Sequence, residues 1–214
     1  MEKQIILSDP IISRTEYKRK FSFGELYRAL MYTPRAMSKL ISNKKSNLVD
    51  KKFIERLQLA ITEVNGCPAC SYQHTKMALQ MGMSNEEISS FLSGGDDFIR
   101  PEEAKAIIFA QHFADARGFP KKYAFDSIIN EYGEEQAEII FSACQVMLTG
   151  NIYGIPYSAF SSRRKGIVFK ESSIFYELSM IIGGILILPI ALILGVLRGF
   201  IGLSNKKLDL TTEA

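Results

Sequence analysis

The sequence predicts an all-α protein, and three observations lead to that prediction. From residue 21 to about residue 161, apolar side chains recur at intervals of three and four, which is the period of an amphipathic helix. No segment alternates apolar and polar residues for long enough to indicate a strand. Turn-forming Gly, Pro and Asn residues separate the periodic segments and mark helix ends. With 214 residues, the chain has room for one helical domain and an appended segment.

The first two predicted helices lie on either side of a polar loop at 43–47. Phe23, Leu26 and Leu30 form the apolar face of the first helix. Phe53, Leu57, Ile61 and their neighbours form the face of the second, which we expect to end at an Asn-Gly turn.

Later helices carry their own start and stop signals. Residues 84–87 fit a capping box, and glycines at 94 and 95 end the short helix that follows. Pro101 is expected to start the next helix, which runs toward Gly118. Two further helices are predicted near 121–131 and 134–149, the second stopped by Gly150 and Asn151.

The composition changes after residue 161. A polar, basic hinge at 162–173 precedes an apolar segment at 174–203, in which residues 178–197 carry no charge. Twenty helical residues span about 30 Å, the thickness of a hydrocarbon core. We therefore expect a transmembrane anchor helix, with Pro189 kinking it; the alternative is a helix that is buried or docked on an oligomer partner. Four basic residues before the span and three after it leave its orientation open.

The chain divides into five predicted regions. They are an irregular segment at 1–20, a helical domain at 21–161, the hinge at 162–173, the anchor at 174–203 and a polar tail at 204–214.

Without a secretory signal at the N-terminus, we expect a cytoplasmic domain anchored to the membrane by its C-terminal helix. A net charge of +3 gives no indication of nucleic-acid binding. Three cysteines make a poor disulfide framework and favour a reducing compartment.

Residues 63–74 place two thiols and an imidazole close together. Pro68 suits the first turn of a helix, so Cys67 is expected at the N-cap. Cys70 and His74 would then follow at one and two turns along the same face. The positive end of that helix favours a thiolate over a thiol. The pattern indicates sulfur chemistry.

The spacing Cys-x-x-Cys-x-x-x-His, preceded by Glu and eleven residues, resembles the alkylhydroperoxidase D-like branch of the carboxymuconolactone decarboxylase superfamily. Here Glu55, Cys67, Cys70 and His74 match that pattern, within a resemblance that covers about residues 20–160. The resemblance implies an all-helical domain that forms a homo-oligomer, often a trimer. It also implies a lipoyl or thioredoxin-like dithiol reductant, no organic cofactor and no metal. Glu55 would be the carboxylate that orients or charges His74.

The chemistry predicted for these residues is hydroperoxide reduction. Cys70 is assigned as the peroxidatic thiol because His74, four residues on, can take its proton. Cys67 is assigned as the resolving thiol, and its place at an exposed helix start would let it exchange with an external dithiol. Glu63 competes with Glu55 as the partner of His74. Tyr72 either lines the pocket or packs as an ordinary helical aromatic residue.

Two alternatives to redox chemistry follow from the same residues: part of a zinc site, or two cysteines that are buried by chance. Cys67, Cys70 and His74 resemble half of a zinc site, but a fourth ligand would have to come from Cys144, His112 or a carboxylate. We expect Cys144 and His112 to be structural.

Two other functions remain open beside the thiol-dependent peroxidase or disulfide oxidoreductase. One is a carboxymuconolactone-type decarboxylase, for which the dithiol has no obvious role. The other is a non-catalytic, membrane-tethered redox sensor. The apolar segment at 174–203 would place the site near oxidised lipids and so suggests a lipid hydroperoxide as substrate.

Overall fold

The computed structural model describes residues 17–211, and within this range the protein is helical, with no strand. Residues 1–16 of the predicted irregular segment lie outside the described residues, as do 212–214. The described helices are α1 (Phe23–Ser46), α2 (Lys51–Asn65), α3 (Pro68–Gln80), α4 (Asn85–Ser93), α5 (Ala104–Asp115), α6 (Lys122–Arg163) and α7 (Ile174–Phe200), with a 3₁₀ turn at Pro101–Glu103. The all-α prediction is confirmed.

Local capping accounts for where most of these helices begin. Ser22 and Glu25 form a reciprocal capping box at the start of α1. The Asp50 carboxylate accepts hydrogen bonds from the backbone N–H groups of Lys52 and Phe53 at the start of α2. At the start of α4, Ser84 Oγ accepts a hydrogen bond from the Glu87 backbone N–H, which is one half of the predicted capping box. These contacts are within one turn, which is why the sequence identifies them.

The predicted end of the penultimate helix at Gly150 is wrong. The two helices expected near 121–131 and 134–149 are separated by a kink, as predicted, but the second continues to Arg163; we number the two together as α6. Its only non-helical backbone within this range is at Gly133, where φ is 77°. Asn151 does not end the helix because its amide is buried and hydrogen-bonded to side chains of α2. Tertiary contacts therefore override the local stop signal.

α6 forms the centre of the described domain. It packs against α1, α2, α3, α5 and α7. Phe109, Phe113, Phe125 and Phe141 pack their rings together between α5 and α6 at centroid distances of 5.2–6.2 Å. This core holds α2 and α3 against α6, where the candidate site lies.

A buried ion pair fixes the rotation of α2. The guanidinium of Arg56 donates to both carboxylate oxygens of Glu103, at 2.6 and 2.5 Å, and a third N–H reaches Glu87 at 3.1 Å. Burial lowers the pKa of Arg56, but hydrogen bonds to Glu103 and the charges of both carboxylates outweigh that effect and raise it. The preceding side chain on the helix, Glu55, is consequently held in a defined direction.

The apolar C-terminal helix predicted from sequence is present as α7. By length and composition, α6 and α7 are both apolar enough to cross a membrane. The most apolar window of α6 is 78% buried inside the protein, whereas that of α7 is 22% buried. α7 packs along α1 and α6, and most of its outer face is exposed.

Candidate functional site

The turn before the two cysteines has the geometry that its sequence predicts. α2 ends at Gly66, whose φ of 65° lies in the left-handed region that glycine adopts readily. Pro68 occupies the first turn of α3, and Cys67 is the N-cap. The sulfur of Cys67 accepts a hydrogen bond from the backbone N–H of Cys70 at 3.3 Å. A thiolate at this position would therefore face a backbone donor and the positive end of α3.

Cys67 and Cys70 are joined as a disulfide with a Cα–Cα distance of 5.3 Å. The expected exposure of Cys67 is wrong, because this residue is 1% exposed and Cys70 is 8% exposed. The helix start is covered by α6, which crosses directly over the sulfurs. Of the two residues, Cys70 is the more exposed.

Gly154 of α6 makes this close crossing possible. A Cβ atom at that position would lie 2.7 Å from the sulfur of Cys70 and 2.8 Å from that of Cys67. The carbonyl oxygen of Gly150, one turn earlier, lies 3.6 Å from the Cys70 sulfur. Any side chain at 154 would displace the disulfide. Sequence analysis missed this residue because glycines in a helical pattern carry no information about what packs on them.

His74 lies one turn after Cys70 on α3, and Glu55 holds its ring. The distance from His74 Nδ1 to Glu55 Oε1 is 2.7 Å, and the Glu55 carboxylate is almost fully buried. This contact leaves Nε2 as the ring nitrogen for exchange with a substrate or with a thiol. Glu63, the competing candidate, instead forms an ion pair with Lys18.

A second polar network fastens the cysteine turn to α6. Asn65 Nδ2 donates to Asn151 Oδ1 at 2.8 Å, and Asn151 Nδ2 donates to Thr62 Oγ1 at 3.3 Å. On the other side of the turn, the backbone N–H of Ala69 donates to Ser158 Oγ at 3.1 Å. Because Asn151 is fully buried, these bonds are costly to lose. The sequence offered Asn151 only as a turn residue.

The remaining sequence candidates lie away from the sulfurs or have structural partners. Tyr72 is half exposed, which does not fit packing in the core. Cys144 is fully buried, and burial raises the pKa of its thiol. His112 Nε2 accepts a hydrogen bond from the Lys121 backbone N–H at 3.0 Å. The structural roles expected for Cys144 and His112 are consistent with these contacts.

Residues 17–211 contain no group of three or more His, Cys, Asp and Glu side chains that is arranged to hold a metal ion. Helix α3 places the disulfide and His74 one turn apart, and the Glu55 carboxylate contacts the His74 ring.

Residues 31–112 match the carboxymuconolactone decarboxylase family. The matched range contains Glu55, Cys67, Cys70 and His74, so the resemblance of this part of the chain to the family is confirmed. The match does not distinguish the alkylhydroperoxidase D-like branch from others. No curated protein and no solved structure matches the chain.

Proposed function

We propose that this chain, whose residues 31–112 match the carboxymuconolactone decarboxylase family, is a thiol-dependent peroxidase of the alkylhydroperoxidase D-like type. One observation carries the proposal: two cysteines bridge within one turn of α3, beside an imidazole that a buried carboxylate holds. An acid–base enzyme would need only the His–Glu pair. A redox enzyme uses all four side chains.

In the oxidising half-reaction, His74 takes the proton of the Cys70 thiol, and Glu55 stabilises the imidazolium through its contact with Nδ1. The Cys70 thiolate attacks the terminal oxygen of a hydroperoxide, ROOH, and the O–O bond breaks. Cys70 becomes a sulfenic acid, and RO⁻ takes the proton back from His74 to leave as the alcohol ROH.

In the resolving step, the Cys67 sulfur attacks the Cys70 sulfur, the S–O bond breaks and water leaves with the Cys67 proton. The product is the Cys67–Cys70 disulfide. One thiol of an external dithiol then attacks Cys70, the more exposed of the two residues, and Cys67 departs as a thiolate toward the Cys70 backbone N–H. The second thiol of the reductant attacks its own sulfur in this mixed disulfide, so that Cys70 leaves as a thiolate and the reductant closes its disulfide. The sum is ROOH plus a dithiol giving ROH, water and the oxidised dithiol.

The proposal includes the reductant, assembly and location that the family resemblance and the apolar helix suggest. Electrons would come from a lipoyl or thioredoxin-like dithiol, and the chain would work as a homo-oligomer without an organic cofactor or a metal. We place the helical domain in the cytoplasm, attached to the membrane through 174–203. This attachment supports fatty-acyl hydroperoxides as substrates.

Peroxide turnover with dihydrolipoamide tests the proposal. We expect Cys70→Ser to abolish turnover, while Cys67→Ser should accumulate a sulfenic acid at Cys70 that a dimedone probe traps. Cys144→Ala, a matched control that removes a buried thiol, should keep activity. Alkylation and mass spectrometry after one equivalent of peroxide should show protection at 67 and 70. Full activity in both motif variants would contradict the role assignment.

Decarboxylation of a muconolactone is the second candidate, and the family match together with the Glu55–His74 contact favours it. This reaction would use the pair as acid and base and leave both sulfurs idle. Retention of decarboxylase activity in Cys67→Ser and Cys70→Ser, with no peroxide turnover in the unmodified protein, would support it. A redox sensor would instead form the disulfide once per chain without steady-state turnover.

A further inference from the structure

α7 lies alongside α1 over most of its length and in the same direction. A Cβ atom at Gly183 would contact the ring of Phe23, and one at Gly195 would contact the backbone of Met31. Near the end of the helix, Gly199 approaches Arg35 in the same way. Small residues along one face of α7 therefore allow it to pack closely on the body of the protein.

Both ends of α7 are also tied to the body. Near its start, the Tyr176 hydroxyl donates to the Phe21 carbonyl at 2.9 Å. After its end, Gln145 Nε2 donates to the Asn205 carbonyl at 2.6 Å, and Asn205 Nδ2 donates to the Tyr32 carbonyl at 3.0 Å. The chain that follows α7 thus returns to the same domain from which α7 began.

These contacts make a transmembrane position for α7 costly. If α7 crossed the hydrocarbon, α1 beside it would enter as well and carry Arg28, Arg35 and Lys39 into lipid. The alternative would break the contacts at Tyr176 and Asn205. A helix that lies parallel to the membrane needs neither change.

The outer face of α7 is apolar and exposed. We define this face as Ile182, Ile185, Leu186, Ile190, Ile193 and Leu197. It continues onto α1 at Met37 and Ile41, and between the two helices lies an open groove of about 680 Å³. An exposed apolar surface of this size indicates a contact with lipid or with another chain.

Charge distinguishes these two partners. The segments that carry the outer face and the chain on either side of it, residues 33–46 and 164–211, contain ten Lys and Arg against three Asp and Glu. One of the three, Glu177, is buried in an ion pair with Arg163. The rest of the chain has sixteen basic and twenty acidic residues. A two-fold contact through this face would bring two basic regions together, whereas anionic lipid headgroups would neutralise them.

We propose that α7 lies in the plane of one leaflet of an anionic bilayer, with its outer face and the α1 groove in contact with acyl chains. The surrounding basic residues contact headgroups. This proposal concerns the mode of membrane contact and does not depend on the redox chemistry.

Vesicle flotation of the full chain tests the surface. Phosphatidylcholine vesicles with roughly 30% phosphatidylglycerol should bind the protein, and high salt or pure phosphatidylcholine should weaken binding. Ile185→Asp with Ile193→Asp should lower the bound fraction about tenfold or more. Ile108→Asp, at an exposed isoleucine of α5 outside this face, is the matched control. Equal binding of both variants would overturn the proposal, as would a stable dimer that binds no vesicle.

Labelling of the bound protein separates an in-plane helix from a span. In a chain whose three cysteines are replaced, Ser93→Cys and Ser204→Cys each introduce one exposed thiol, on the body and after α7. A membrane-impermeant maleimide added outside the vesicles should label both positions fully. Protection of position 204 alone would show a span and overturn the proposal. Peroxide turnover in detergent, measured with the native cysteines, reports separately on the proposed redox function.

Discussion

α6 and α7 are the two long apolar helices of the described chain, yet they use their apolar residues differently. α6 is buried on most sides, and its glycine at 154 and amide at 151 shape the candidate site. α7 buries one face against α1 and exposes the other. By hydropathy alone, both are candidate membrane-spanning helices. They differ in whether other helices surround them. A substitution at Asn151 or Gly154 of α6 should therefore disturb folding and chemistry together, whereas one on the outer face of α7 should disturb neither.

The largest effect should come from the ion pair that joins the end of α6 to the start of α7. Arg163 donates to both oxygens of the fully buried Glu177 carboxylate, at 2.8 and 2.7 Å. Arg163→Met leaves that carboxylate buried without its cation and should lower the unfolding free energy more than any of the substitutions below. Arg164→Met, at the exposed neighbouring position, should change it by less than about 0.5 kcal/mol. Urea unfolding measures both, and equal effects would contradict the buried pair.

A substitution at the sulfur-facing glycine should break the contribution of α6 to the site. Gly154→Ala places a methyl group within 2.8 Å of both sulfurs, so we expect about 1–3 kcal/mol of destabilisation and loss of most peroxide turnover. Gly150→Ala is the matched control, since a Cβ there meets no described atom within 4 Å. Alanine at 150 should be neutral or stabilising by up to about 1 kcal/mol. Thermal unfolding and turnover assays distinguish the two.

Acid should weaken the attachment of α1, one of the two helices on which α7 packs. Burial raises the pKa of Glu25, but hydrogen bonds from Arg117 and Ser22 outweigh it and hold the pKa below its ordinary value of 4.5. The stability that ionised Glu25 contributes is fully present above pH 4.5. It is lost as the pH falls below 4.5 and through the lowered pKa. Glu25→Gln should cost about 1 kcal/mol at neutral pH. The difference in unfolding free energy between the native chain and Glu25→Gln, measured by denaturant unfolding, should shrink as the pH is lowered. A difference that stays constant with pH would exclude this linkage.

The smallest effect should come from the outer face of α7. Ile190→Ser replaces an exposed side chain and should change unfolding free energy by no more than about 0.5 kcal/mol. Ile152→Ser, which introduces a hydroxyl at a fully buried position of α6, should cost about 2 kcal/mol or more. Denaturant unfolding of the two variants compares the helices directly. Similar losses at both positions would mean that the face of α7 is covered.

Sequence reasoning was most successful where a contact lies within one or two helical turns. Helix geometry and end-capping chemistry predict three positions: Cys67 at the N-cap, Pro68 directly after it, and His74 one turn after Cys70. Glu55 could be named only through the family resemblance, because nineteen residues separate it from His74. The apolar length of α7 was equally visible in the sequence, but its packing on α1 was not.

The amino-acid sequence by itself determined the helical class, the dithiol turn and the uncharged C-terminal helix, since each depends on residues close together in the chain. Tertiary structure alone decided that α6 continues past Gly150, that Gly154 covers the sulfurs and that both ends of α7 return to one body. The physical reason is that burial and long-range hydrogen bonds depend on which helical faces meet. Helical periodicity shows that a face is apolar, but it does not show what that face contacts.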